Sequence, residues 1–154
     1  MGKRRVRSEE TPGCLFCSIA AGTVKSFIVR EDPDFVVFLD AKPLNHGHCL
    51  VIPRAHIESF TALSDALVAP LFKLVRTLAA VLETDLGADG SFVAINTNIS
   101  QSVPHMHVHV VPRYEKDGLF SRGMLWIRKP YANEGEMEEI RTRLASSLSK
   151  AVSA

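Results

Sequence analysis

The sequence predicts an α+β domain: an antiparallel sheet of about five strands, one long central helix and a C-terminal helix. Three observations predict it. Short runs of β-branched and aromatic residues, bounded by Pro, Asp and Gly, recur along the chain as far as Pro112. Residues 66–83 switch to helical spacing, with Leu67, Leu71, Leu74, Val75, Leu78, Val81 and Leu82 on one stripe. A second helical stripe, Met137, Ile140, Leu144 and Leu148, closes the chain. No repeat, linker or second core interrupts this order.

Taken in order, residues 14–21 read as a short helix. Residues 27–30 and 35–39 flank Glu31-Asp32-Pro33-Asp34, the composition of a hairpin turn. Residues 49–52 form a strand stopped by Pro53. Gly87 and Gly90 end the central helix, and residues 92–96 form the next strand. Residues 105–111 alternate and so read as a strand ended by Pro112. Residues 118–130 form a loop carrying the sole tryptophan, Trp126. Asn133 is the expected N-cap of the last helix, with Glu136 in the capping-box position three residues on.

At 154 residues the chain fits one domain that buries a core without disulfides. The domain is expected to span residues 14–154, with a C-terminal extension from about residue 115. Residues 1–13, with Lys3, Arg4, Arg5 and Arg7, read as a disordered basic tail. A formal net charge of +1 gives no bulk attraction to nucleic acid or anionic membrane, and neither is an expected partner. No apolar run approaches the roughly 20 residues of a membrane span, and no signal-peptide core is present, so the expected compartment is the cytoplasm. There Cys14, Cys17 and Cys49 stay reduced, and the Cys14-Leu15-Phe16-Cys17 pair points to metal or redox work.

The chemistry concentrates in His105-Met106-His107-Val108-His109-Val110-Val111, which holds three of the six histidines. On a strand, residues at i, i+2 and i+4 share a face, so the three imidazoles point one way while Met106, Val108 and Val110 pack inward. Such a row either binds a metal or binds and attacks a phosphate. A metallohydrolase needs carboxylates nearby to orient its imidazoles, and residues 91–114 contain none. A phosphate site needs small polar groups upstream, and Asn96, Asn98, Ser100, Gln101 and Ser102 supply them.

With its apolar spacers, this H-x-H-x-H strand resembles the signature of the histidine triad family of nucleotidyl hydrolases and transferases. Cys14-Leu15-Phe16-Cys17-Ser18-Ile19 followed by Gly22 looks like the family's opening. Phe38-Leu39-Asp40-Ala41-Lys42-Pro43 and Gly47-His48-Cys49-Leu50-Val51-Ile52-Pro53-Arg54-Ala55-His56 are similar to its second block. Gln101-Ser102-Val103 precedes the triad as in relatives, although Ser100 stands where many members have glycine. The resemblance covers about residues 14–114.

The resemblance implies a nucleoside phosphoramidase or dinucleoside polyphosphate hydrolase in which His107 is the nucleophile, attacking the α-phosphorus of a purine nucleotide conjugate to form a covalent nucleotidyl-imidazole. A backbone carbonyl holding the proton of its other ring nitrogen would keep His107 neutral for attack. His109 would hold a non-bridging oxygen or assist the leaving group, and His48 would support the phosphate or the nucleophile. Asn96, Gln101 and Ser102 match polar positions around the phosphates, and Asp40 matches a ribose-hydroxyl contact. Phe16, Ile19 and Leu39 would wall the base. By likeness to bacterial members, Cys14, Cys17, His56 and His105 would hold a structural zinc ion; no organic cofactor is expected. Cys49, facing away from His48, reads as a core thiol, and His46 as an ordinary surface residue. A homodimer is implied. In the tail, Trp126 with Arg122, Arg128 and Lys129 offers a face to a substrate's distal end or to packing. Two other readings remain: a nucleotide-sensing protein with little turnover, and a metal-dependent hydrolase using the row as ligands.

Overall fold

A computed structural model describes residues 11–121 and 127–154. The basic residues Lys3 to Arg7, and Arg122 and Trp126, lie outside the described residues. The elements are α1 (Leu15–Ala21), β1 (Ile28–Glu31), β2 (Phe35–Leu39), β3 (Cys49–Pro53), α2 (Asp65–Leu86), β4 (Gly90–Ala94), β5 (Val108–Arg113) and α3 (Glu134–Ser153). The strands form one five-stranded antiparallel sheet in the order β1-β2-β3-β5-β4. This is the α+β architecture expected from the sequence.

The sheet has two unlike faces. On one, Val37, Leu39, Cys49, Val51, Val108 and Val110 pack under α2 and α3. The predicted α2 stripe is buried from Leu71 to Leu82, each large side chain contributing roughly 1.5–3 kcal/mol. Helix α3 adds Met137, Leu144 and Leu148 to this core, so the C-terminal segment completes the main core. It starts as its cap predicts: Asn133 Oδ1 accepts from the Glu136 amide at 3.0 Å, and Glu136 Oε2 accepts from the Ala132 amide at 2.7 Å. On the other face, Val36, Phe38, Leu50 and Ile52 meet Phe16, Ile19 and Ala20 of α1. Arg54 fastens α1 there, donating to Ala20 O at 2.8 Å and to Asp32 O at 3.1 Å.

One expected element is shorter than its pattern. The alternation runs from His105, yet β5 begins at Val108. In the β3–β5 register Cys49 faces Val110 and Val51 faces Val108, so Met106 would come opposite Pro53. Proline has no amide to donate, and Pro53 O instead accepts from the His105 ring at 2.8 Å. The Met106 amide turns to Ile57 O at 2.7 Å. His105, at the end of a bend, and His107 therefore sit in a lead-in to β5 that keeps the strand's facing but leaves its ladder.

Candidate functional site

The histidines gather on the α1 face of the sheet. His48 and His105 are fully buried, and His107 and His109 are 3% and 6% exposed. Buried imidazoles require partners, and the bonds assign their protons. The Leu44 amide donates to His48 Nδ1 at 3.1 Å, so neutral His48 carries its proton on Nε2. That nitrogen lies 3.0 Å from His109 Nδ1, which must accept, leaving the His109 proton on Nε2. His107 Nδ1 lies 2.8 Å from His105 O and donates to it, so the lone pair of His107 is on Nε2. Burial drives all three toward the neutral form: His107 is lowered, His109 falls to about 4 and His48 to about 2.

Two sequence features bring His48 here. Gly47 has φ +96°, and a Cβ there would collide with Leu86 Cδ1. Next to it, the Asn45 side chain donates to Pro112 O at 2.8 Å, tying the turn to β5.

Around the triad, Asn96, Ser100, Ser102, His109 and Arg128 line a cavity of about 420 Å³. Asp40 lies beside His48, its Oδ2 3.7 Å from His48 Nδ1. Its Oδ1 accepts from the Lys42 amide at 2.8 Å and its Oδ2 from Arg128 at 3.2 Å. Burial pushes its carboxyl up, against the pull of these bonds. Ser100 has φ +59°, the region glycine favours, which explains why glycine suits this position. Phe16 meets the His107 ring edge-on at 5.1 Å, and Ile19 lies in the same cluster.

Two expected site residues go elsewhere. Leu39 packs with the α2 face, because alternation along β2 sends it opposite to Phe38, so it does not wall this pocket. The Gln101 side chain is bonded to backbone on two segments: it accepts from the Asn98 amide and donates to Val103 O in its own loop and to Glu58 O in the segment after β3.

Sequence reasoning missed how a segment after the loop reaches the site. His46, read as an ordinary surface residue, stacks on Tyr131 at 4.6 Å, and its Nε2 lies 3.2 Å from Pro130 O. Nothing in local spacing signals this contact across more than eighty positions. Cys49 behaves as expected: it is fully buried on the far face, and burial pushes its thiol up.

The second cluster is Cys14, Cys17, His56 and His105. Cys14 caps α1 and Cys17 follows one turn later, so both sulfurs face the same way. Cys14 Sγ lies 3.4 Å from His105 Nδ1, and Cys17 Sγ 3.6 Å from the same atom and 3.3 Å from His56 Nδ1. Ligands about 2.0–2.3 Å from a tetrahedral zinc stand roughly 3.6 Å apart; these three pairs already have that spacing, and all four donors lie within 4.8 Å of one another. The His105 bond to Pro53 O fixes its tautomer and aims Nδ1 at the sulfurs. Burial pushes the Cys17 thiol up, and a metal would displace that proton.

Asp40, His48 and His109 also converge closely enough to suggest a metal. Their hydrogen bonds oppose it: His48 Nδ1 is taken by the Leu44 amide, and the other His48 nitrogen is paired with His109.

This pair of sites on one sheet face defines a class of protein. The model of the HIT domain matches residues 21–116. The protein hit of Bacillus subtilis is 35% identical over 140 residues, covering 89% of this chain and 92% of that one. An uncharacterised HIT-like protein of Methanocaldococcus jannaschii is 39% identical over 107 residues, 68% of this chain and 82% of that one. Among solved structures, a zinc-bound histidine triad family protein from Mycobacterium smegmatis superposes with TM-score 0.75 at 31% identity, covering 92% of this chain and 96% of that one. The chain belongs to the HIT family, whose members are nucleotide-binding hydrolases and transferases.

Proposed function

We propose that this protein hydrolyses, or transfers from, purine nucleotide conjugates at the α-phosphate, through a nucleotidyl-histidine intermediate on His107. The observation that carries this reading is the 2.8 Å bond from His107 Nδ1 to His105 O, which leaves the Nε2 lone pair for phosphorus. Attack forms the Nε2–P bond and expels the leaving group; water then cleaves that bond and releases the nucleoside monophosphate. His109 Nε2–H donates to a non-bridging oxygen, a bond worth roughly 1.5–3 kcal/mol to a charged acceptor. His48 holds His109 in that tautomer. Asn96 and Ser102 contact phosphate oxygens, Asp40 accepts from the ribose hydroxyls, and Phe16 and Ile19 offer apolar surface to the base.

Cys14, Cys17, His56 and His105 would hold zinc, which serves there as a structural cross-link between α1 and the lead-in to β5. Because β4 pairs on one side only and exposes Val93, the same reading makes the protein a homodimer joined along this edge. Among the described residues no helix is long and apolar enough to cross a membrane, and the reading places the protein in the cytoplasm. The direct test is to quench a slow adenylyl substrate and locate an adenylate by mass spectrometry. An adduct on His107 is expected; turnover without one, or an adduct elsewhere, overturns the mechanism.

A further inference from the structure

The chain between β4 and β5 supplies three of the five residues that line the triad cavity, Asn96, Ser100 and Ser102. Its own packing holds it poorly. Asn98 and Ser100 both sit in the left-handed region, at φ +65° and +59°, which is uncommon for residues that carry a side chain. Between them Ile99 is 84% exposed, so burial does not anchor the tip. Backbone of this kind persists only where its surroundings fix it.

Gln101 supplies the fixing. Its Oε1 accepts from the Asn98 amide at 2.9 Å, closing the loop on itself. Its Nε2 donates to two carbonyls, Glu58 O at 2.6 Å and Val103 O at 3.1 Å. A primary amide suits the place, with two hydrogens for two carbonyls and an oxygen that accepts. Both carbonyls stand two residues from an imidazole of the sulfur cluster: Glu58 follows His56, and Val103 precedes His105. The two imidazole-bearing segments are also joined directly. The Met106 amide donates to Ile57 O at 2.7 Å, and the His105 amide to Val103 O at 2.8 Å. One side-chain amide therefore ties the cavity's loop to both segments that bring an imidazole to Cys14 and Cys17.

We propose that Gln101 is a positioning residue that couples occupancy of the zinc site to the shape of the cavity-lining loop, and through it to nucleotide affinity. This rests on the readings of the two sites given above. A metal held by Cys14, Cys17, His56 and His105 fixes the segments around His56 and His105 against α1 and against each other. Glu58 O and Val103 O then stand at set positions, and Gln101 passes that order to Asn98, Ser100 and Ser102. The coupling acts on binding rather than on the chemical step, because His107 and His109 are oriented by His105 O and His48, not by this loop. Linkage makes it reciprocal: a nucleotide that needs the ordered loop must hold zinc more tightly by the same factor.

Hydrogen exchange of the amides in residues 97–103 tests the tie without any substrate. Stripping zinc with a chelator should speed exchange there by about fivefold in the wild-type protein. In Gln101→Met, neutral and of similar length but without the three bonds, that exchange should be fast with or without zinc. A purely local role for Gln101 would speed exchange in both forms and keep the zinc dependence, which overturns the proposal. A wild-type loop indifferent to zinc also overturns it. Zinc affinity gives a second measure that needs no stripped protein: by chelator competition Gln101→Met should bind zinc about fivefold more weakly, and an unchanged affinity counts against the tie. Calorimetry of AMP then reads the functional half. Zinc removal should weaken AMP about fivefold in the wild type and leave Gln101→Met unchanged. AMP affinity that ignores zinc while the loop responds overturns the link to binding. If AMP binds neither form although the loop responds through Gln101, the nucleotide reading of the cavity fails while the tie stands.

Discussion

The row of histidines splits into two regions that use one side chain in opposite ways. Around His105, nitrogen and sulfur atoms converge within 3.3–3.6 Å and close on one another, a set of soft donors with room for one ion. Around His107 and His109, each ring is oriented through its Nδ1, by a backbone carbonyl or by His48, and His109 borders an open cavity. On the proposed function the first would be a staple and the second a reaction site, though only one residue separates His105 from His107. The difference comes from what faces each imidazole across the sheet, not from the imidazole.

The sharpest way to break this contrast is His107→Ala. Loss of a nucleophile should cut turnover by ~10⁴-fold or more. Zinc content and melting temperature should barely change. Steady-state kinetics and metal analysis check both, and a lost metal would mean the regions are not separable.

The reverse experiment is Cys17→Ser. The protein as purified should carry one zinc per chain and the variant none, with stability lowered on the order of 3 kcal/mol, or about 10 °C in Tm. Turnover at low temperature should stay within about tenfold. Activity lost in full while the fold remains would revive a catalytic metal.

Acid should act on the reaction side. His109 binds its proton near 6.5 in the unfolded chain and near 4 in the folded one. Between those values the unfolded state holds more protons, so His109 by itself lowers stability as pH falls, by on the order of 3 kcal/mol once pH is below 4, and His48 and His107, also held neutral by burial, add to the fall. The stability is fully present above about 6.5. Denaturation at several pH values in the Cys17→Ser background excludes metal release; His109→Asn should flatten the slope, and an unchanged slope would assign it to other groups.

The smallest effect concerns the cavity's rim. Ser100→Gly relieves a left-handed serine and should stabilise by up to ~1 kcal/mol, read as a higher denaturation midpoint. A lower midpoint would show that the serine hydroxyl matters more than backbone strain.

Much of this was legible in the chain. The period-two row put three imidazoles on one side, the seven-residue stripe drew α2, and Asn133 with Glu136 marked the start of α3. Cys14 and Cys17 announced a donor pair through their spacing. The errors have local causes. Pattern extended β5 back to His105 because it could not see Pro53 across the register. Leu39 was assigned to the base wall beside Phe16, but the alternation of β2 sends it to the other face. The tie from Gln101 to Glu58 O, 43 positions away, was likewise invisible to local pattern.

By itself, then, the sequence determined periodicity, caps and residue types, because these depend on neighbours a few positions away. Only the tertiary structure decided which histidine meets sulfur, which meets a backbone carbonyl, and that Arg128 reaches Asp40 from 88 positions away. Hydrogen bonds and ion pairs act over about three ångströms, and that proximity is created by strand register and by the grip of residues 128–131 on the turn before β3.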